Sequence, residues 1–310
     1  MREKTTPYLR SIAVSASIAD QYYISESEPF ADDTYNDPLH EDDHEVVKGL
    51  VHKYSNRALI KVSYQCAAHC RFCTRIRQIG NAEGTLTDDN INNIITYLYQ
   101  HPEIDDVILS GGDPFYTAKL TYQLLQQLKE INSIKVFRIG TRLPLQLPKA
   151  FQSDAVQLLL SLIDEIAKRR PFYILLHINH PDELTEQALA TIAMLRSHKV
   201  TLLSQTVFLK GINDNYKTLH QLYTQLHYTG VIPYYLYHCD AVKGIQHFAV
   251  DIEKEKEIAT QLTATLSGIA CPTYIIDVED GHGKIPVPLN FINENNGTIT
   301  DFKNTKHELK

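Results

Sequence analysis

From about residue 58 onward, short apolar runs rich in β-branched residues alternate with segments of helical period, and no other feature restricts the fold as tightly. The strand-like runs are 58–64 (ALIKVSY), 105–110, 134–142, 172–180, 200–210 and 231–238. The helical segments between them are 86–100, opened by an N-cap at Thr87 or Asp88, then 118–130 and 154–170, with further stretches near 183–196 and 215–228. We read this as βα repeated six times. Strands separated by helices are joined by right-handed crossovers and lie side by side in a parallel sheet. Two architectures fit: an open doubly wound sheet, or the partial TIM-like (β/α)6 barrel that we favour. In both, chemistry gathers at the C-terminal ends of the strands. That is where the unusual residues fall: a cysteine loop, GGDP, GTR, HINH, SQT and YHCD.

The barrel domain is expected over 46–290, preceded by an N-terminal extension (1–45) and followed by a short C-terminal hairpin and tail (291–310) that turns near Asn296-Gly297. Within the extension, ESEPFADDTYNDPLHEDDHE has no helical or strand period and is expected to wrap the surface as a solvated acidic segment. The net charge of −7 offers no basic surface for a polyanion, so nucleic acid is excluded as a partner. No run of about eighteen apolar residues is present, so no membrane span is expected. Serines break the apolar part of the N-terminus, and a cytoplasmic location follows.

Three of the five cysteines, Cys66, Cys70 and Cys73, form a C-x3-C-x2-C pattern directly after the first strand. Structural zinc takes four ligands, usually from two separated pairs, so three clustered thiols suit it poorly. An iron-sulfur cluster takes one thiolate per iron, and three would leave the fourth iron of a 4Fe-4S cube open to a ligand. Three unconnected core thiols are the plain alternative, but His69, Arg71, Thr74, Arg75 and Arg77 interleave with them, a poor core composition.

The pattern resembles the signature of the radical S-adenosylmethionine (SAM) superfamily. That resemblance implies a partial barrel with the cluster loop after its first strand, and SAM chelated at the open iron. It also implies reduction by an external donor of flavodoxin or ferredoxin type, giving a 5′-deoxyadenosyl radical. Phe72 fills the aromatic position that this superfamily commonly places before the third cysteine. Gly111-Gly112-Asp113 resembles the motif whose backbone and acid orient the methionine amine of SAM, although on local grounds two glycines serve a tight turn equally well. Gln205 resembles a SAM-contacting glutamine.

Other stretches are similar to the lysine 2,3-aminomutase family. CTRIR (73–77) resembles its CTRRR, and GKIPV (283–287) is identical to part of the loop whose lysine carries pyridoxal phosphate (PLP). Lys284 is thereby implied as the Schiff-base lysine, delivered from a glycine-flanked loop with its pKa lowered by burial. His52-Lys53-Tyr54-Ser55-Asn56-Arg57 resembles the HRYPDR segment, so Lys53 and Arg57 are expected to converge on the PLP phosphate and Tyr54 to contact the ring. Arg75 resembles the arginine that binds the substrate carboxylate, and Asp240 and Asp277 the two aspartates that hold the lysine ε-ammonium. Two carboxylates favour a dibasic amino acid and repel an acidic one. The implied activity is conversion of L-lysine to β-lysine, with arginine or ornithine as competing substrates. A non-catalytic iron-sulfur electron carrier would need the thiols but neither GGDP nor Lys284. Lacking the cysteine-containing tail of clostridial members, the chain is expected to form a homodimer in which Cys239 and Cys271 are structural.

Overall fold

The computed structural model describes residues 3–25, 28, 37–278, 282–289, 291–293, 298–300 and 305–308. Two short helices, α1 (Pro7–Ile12) and α2 (Ala16–Tyr22), lead to an antiparallel pair, β1 (Glu45–Val47) and β2 (Leu50–Tyr54). Then comes the repeat: β3 (Arg57–Ser63), α3 (Asp88–Gln100), β4 (Asp106–Gly111), α4 (Ala118–Leu128) and β5 (Val136–Thr141). It continues through α5 (Leu143–Gln146), α6 (Asp154–Ala167), β6 (Phe172–His177), α7 (Glu186–Ser197) and β7 (Thr201–Val207). The last units are α8 (Tyr216–Thr229), β8 (Ile232–Tyr237), α9 (Ile252–Thr265), β9 (Thr273–Val278) and the return strand β10 (Gly283–Pro286).

The sheet runs in sequence order from β1 to β10, parallel from β3 to β9 and antiparallel at both margins. This is the expected partial barrel, with β9 adding a strand beyond six βα units. Its strand alternation sorts side chains by face. On β4, Val107 and Leu109 are fully buried beneath the helices, while Ile108 and Ser110 line the interior. The helices answer with apolar stripes such as Ile91, Ile94 and Leu98 on α3. Each fully buried leucine or isoleucine there is worth about 1.5–3 kcal/mol. At the start of α3, Thr87 Oγ1 accepts from the Asn90 amide and Asn90 Oδ1 accepts from the Thr87 amide, a reciprocal cap.

The N-terminal segment departs from expectation. Leu9, Ile18 and Tyr22 form a small buried core with Ala68 of the cysteine loop, so α1 and α2 plug the barrel mouth rather than wrap its surface. Helices of six and seven residues are too short to show a clear period, which is why they were not read from the sequence. At the other end, β11 (Ile292–Asn293), β12 (Thr298–Thr300) and β13 (Lys306–Glu308) form a three-stranded antiparallel sheet, one strand more than the expected hairpin. The Asn296-Gly297 turn lies outside the described residues.

Candidate active site

A cavity of about 380 Å³ opens at the C-terminal ends of the parallel strands, and the residues expected to bind the cluster, SAM, PLP and substrate lie on its wall. That volume is within the range of small-molecule sites.

The cysteine loop leaves β3 and is tied down from three directions. Lys4 Nζ donates to the Cys66 carbonyl (2.6 Å), the Arg71 amide to the Gln21 carbonyl (2.8 Å), and Gln146 Nε2 to Cys70 Sγ (3.3 Å). Burial pushes all three thiols up: Cys66 well above its usual range, Cys70 less, and Cys73 to about 12. Charge on the neighbouring thiols raises Cys66 and Cys73 further. Such thiols ionise only beside a cation, and an iron-sulfur core provides one. A second observation fits: Arg142 is buried, its Nε and Nη1 have no hydrogen-bond partner among the described residues, and its charge acts on Cys70. Among the described residues no group of three or more His, Cys, Asp or Glu could hold a single metal ion. Thiols that ligate separate irons of a cube need not meet at one point. Phe72 stands edge-on to His177 (5.4 Å between centroids) and is buried with Leu209, Ile212 and Phe248, a dry wall beside the thiols.

The GGDP turn serves the protein's own backbone first. Gly111 has φ +99°, and a Cβ on either Gly111 or Gly112 would collide with backbone at Ser63 or Gln65. The Gly112 amide donates to the Ser63 carbonyl (2.5 Å) and the Asp113 amide to Gln65 (2.9 Å), so the close approach is to the root of the cysteine loop. Asp113 is held in the same way. Its carboxylate accepts from Thr141 Oγ1 (2.9 Å) and from the amides of Phe115 (3.0 Å), Arg142 (2.8 Å) and Leu143 (3.0 Å). It stitches the end of β4 to the end of β5 and lines the cavity. Gln205 lies on β7 opposite His177 and faces the cavity.

Lys284 is not in a loop. It lies on β10, directly across from Asp277 on β9, after a turn that puts Gly283 at φ +94°. Its ammonium pairs with Asp277 and lies 5.5 Å from the centroid of the Tyr237 ring. The side chain is 35% exposed, so it is not the deeply buried amine expected from the sequence. Lys53 reaches toward Asp277 (4.0 Å) and its ammonium also lies 5.8 Å from the centroid of the Tyr54 ring, over which Arg57 stacks (4.0 Å), so both cations border one ring. Tyr54 still sits beside the lysine strand, because a Cβ on Gly283 would lie 3.2 Å from its hydroxyl. Burial lowers the pKa of Lys53, with Asp277 opposing. Asp277 is itself buried, and among the described residues its Oδ1 accepts no hydrogen bond, leaving a place for an incoming N–H.

Asp240, in the loop after β8, is pushed up to about 7 by burial and then by the charge on Asp277. An acid whose folded pKa lies above its unfolded value of about 3.9 binds more protons folded than unfolded between the two, so its contribution to stability falls as pH rises through that window. The ligand-free protein is therefore expected to lose stability from about pH 5 to pH 8, and Asp240→Asn to lessen the loss. Thermal melts at both pH values check this.

Several residues that matter here carried no local signal. Glu41 is the clearest case: its Oε2 accepts from Arg75 Nε (2.8 Å) and its Oε1 from Arg75 Nη2 (2.5 Å). Arg142 donates to Gln21 (3.1 Å), Tyr22 (3.0 Å) and Glu183 (2.5 Å). His177 is driven down to about 3 by burial and by Arg142, so it is neutral at the cavity wall. GTR and HINH at strand ends were the only hints of the last two.

Comparison with known proteins agrees with this geometry. The family model for the radical SAM superfamily matches residues 60–222, just over half of the chain. L-lysine 2,3-aminomutase of Escherichia coli (strain K12) is 39% identical over 256 residues, covering 82% of this chain and 72% of that protein. L-lysine 2,3-aminomutase of Clostridium subterminale is 35% identical over 257 residues; 83% of this chain is covered, but only 60% of that longer protein. A radical SAM methyltransferase from Sphaerobacter thermophilus shares the fold, with a TM-score of 0.51 at 17% identity over 74% of this chain and 68% of its own. The chain is an enzyme of the radical SAM superfamily and belongs to its lysine 2,3-aminomutase family.

Proposed function

We propose that this enzyme moves the α-amino group of L-lysine to the β-carbon, with a 4Fe-4S cluster, SAM and PLP as cofactors and an external flavodoxin- or ferredoxin-type donor. The observation that carries this reading is the charge layout of one cavity, where a guanidinium (Arg75), a buried carboxylate (Asp277) and a half-buried one (Asp240) share the wall with an amine (Lys284). When bound, the cluster and SAM supply one-electron chemistry that makes a carbon-centred radical, and PLP supplies the carbonyl that carries the migrating nitrogen.

In this reading Cys66, Cys70 and Cys73 hold three irons and leave the fourth for SAM. The buried Arg142 guanidinium, whose charge acts on Cys70, lines the cavity there, and Phe72 packs beside the thiols with apolar neighbours. Gly111, Gly112 and Asp113 fix the loop at the height at which SAM is bound, with Gln205 on the facing strand. Lys284 gives up its pairing with Asp277 to hold PLP between turnovers, which leaves the Asp277 oxygens for the substrate ε-ammonium. Lys53, Tyr54 and Arg57 bracket the PLP phosphate and ring, and Arg75 takes the substrate carboxylate.

The aspartate pair sets specificity. A side-chain carboxylate held at about 4 Å from either would cost on the order of 4 kcal/mol at an effective dielectric near 20, roughly a thousandfold in binding. Anaerobic reconstitution with iron, sulfide, PLP, SAM and reductant, followed by assay of lysine, arginine, ornithine and glutamate for β-isomers, tests this. β-Lysine is expected to form fastest and the glutamate product at least a hundredfold more slowly. Faster formation of β-arginine, or SAM cleavage with no amino acid isomerised, would refute the assignment.

A further inference from the structure

Glu41 lies in the acidic stretch that sequence reading treated as a solvated wrap, yet it is 9% exposed and lines the cavity. Burial alone would raise its carboxyl. The Arg75 guanidinium, with Lys61 and Arg77 behind it, overrides that and holds Glu41 below the usual carboxylate range. Both its oxygens grip one edge of Arg75, the Nε–Nη2 edge, in the planar two-point pairing that arginine makes with a carboxylate. Nη1 is directed elsewhere, 3.4 Å from Ser110 Oγ on the inward face of β4, and Ser110 also lines the cavity.

We propose that Glu41 is a positioning residue for the substrate carboxylate, clamping Arg75 by its inner edge so that the Nη1–Nη2 end is presented beside Ser110. The inference rests on the reading above, in which Arg75 receives that carboxylate. A guanidinium has five N–H donors, and Glu41 uses two. One N–H on Nη2 and those on Nη1 are left at the far end, enough for a second two-point pairing. Glu41 is not a stand-in that substrate must displace. Expelling it from Arg75 would strand a buried carboxylate among fixed neighbours, the costly half of any broken buried pair. The charges of Lys61 and Arg77 act on it as well. The pairing also explains how an arginine inside a (β/α) core keeps one orientation before substrate arrives, which spares the ordering cost of capture.

The test is calorimetric titration of the anaerobically reconstituted holoenzyme with L-lysine and with L-lysinamide, which keeps both amines and lacks the carboxylate. Glu41→Gln is expected to weaken lysine about tenfold, the effect of misaligning one charge-assisted pairing, and to leave lysinamide within twofold. Glu41→Asp, which keeps the charge on a shorter stem, is expected to recover part of the loss. Unchanged lysine affinity, equal weakening of lysine and lysinamide, or tighter lysine binding, as a displaced competitor would give, each overturns the clamp. So does loss of cluster absorbance and early melting in both variants, which would mark Glu41 as serving the fold alone. Arg75→Lys separates this inference from its parent. If that change leaves lysine affinity intact, the amino-acid reading of the site fails; if it weakens lysine while Glu41→Gln does not, only the role of Glu41 fails.

Discussion

Cys70→Ala is expected to abolish reductive cleavage of SAM, lowering it on the order of 10⁴-fold or more, the scale seen when the group that performs a step is removed. Cys70 carries the argument best of the three because its surroundings are the most fully specified: the thiol accepts from Gln146 Nε2 at 3.3 Å, is buried, and sits near the guanidinium of Arg142. Two thiolates cannot hold a cube that offers one open iron. The reconstituted variant should therefore show little of the broad visible absorbance of a cluster and release no 5′-deoxyadenosine from SAM and dithionite. Cys271→Ala is the control, since that thiol lies outside the cavity against Thr263 and its loss should leave both signals in place. Wild-type rates of SAM cleavage in Cys70→Ala would remove the cluster from this loop.

Lys284→Ala is expected to separate the two halves of the chemistry. Cluster content and SAM cleavage should persist, because the cysteine loop is tied to α2, α5 and the GGDP turn rather than to β10. β-Lysine formation should fall by roughly 10³-fold, typical for removing a group that handles both covalent capture and proton transfer. PLP absorbance should wash out on gel filtration. Lys284→Arg sharpens the test, for it keeps a cation opposite Asp277 and so preserves the ion pair, yet cannot condense with a carbonyl. If both variants fail while Lys284→Arg melts as the wild type does, covalent capture is the function lost. Full β-lysine formation in Lys284→Ala would end the assignment of PLP to this lysine.

What the sequence revealed and what it hid divide by distance along the chain. The strands and long helices were legible because their periods are local, and the cysteine loop because its three thiols fall within a few residues at a strand end. That Gly111 and Gly112 accommodate the backbone of Ser63 to Gln65 was hidden, because that backbone lies almost fifty residues earlier. Arg75 was found but its partner was not: Glu41 lies 34 residues away inside an acidic stretch with no period. Arg142 pairs with Tyr22 across 120 residues, beyond any local pattern. Lys284 was placed in a loop because a four-residue strand after glycine has no readable alternation; only its pairing with β9 makes it a strand.

The plug formed by α1 and α2 also bears on the order of assembly. Thr6 Oγ1 donates to the Gln146 carbonyl, Ser17 to Asp182, and Tyr8 shares a hydrogen bond with Thr185. Those partners leave the ribosome 140 to 177 residues after the plug does, so a segment made early cannot dock until β6 and its following turn exist. Until then the backbone around Cys66 and Cys70 lacks its covering bonds from Lys4 and Gln21. The mouth of the barrel is thus sealed late in assembly, by residues that wait for partners far along the chain.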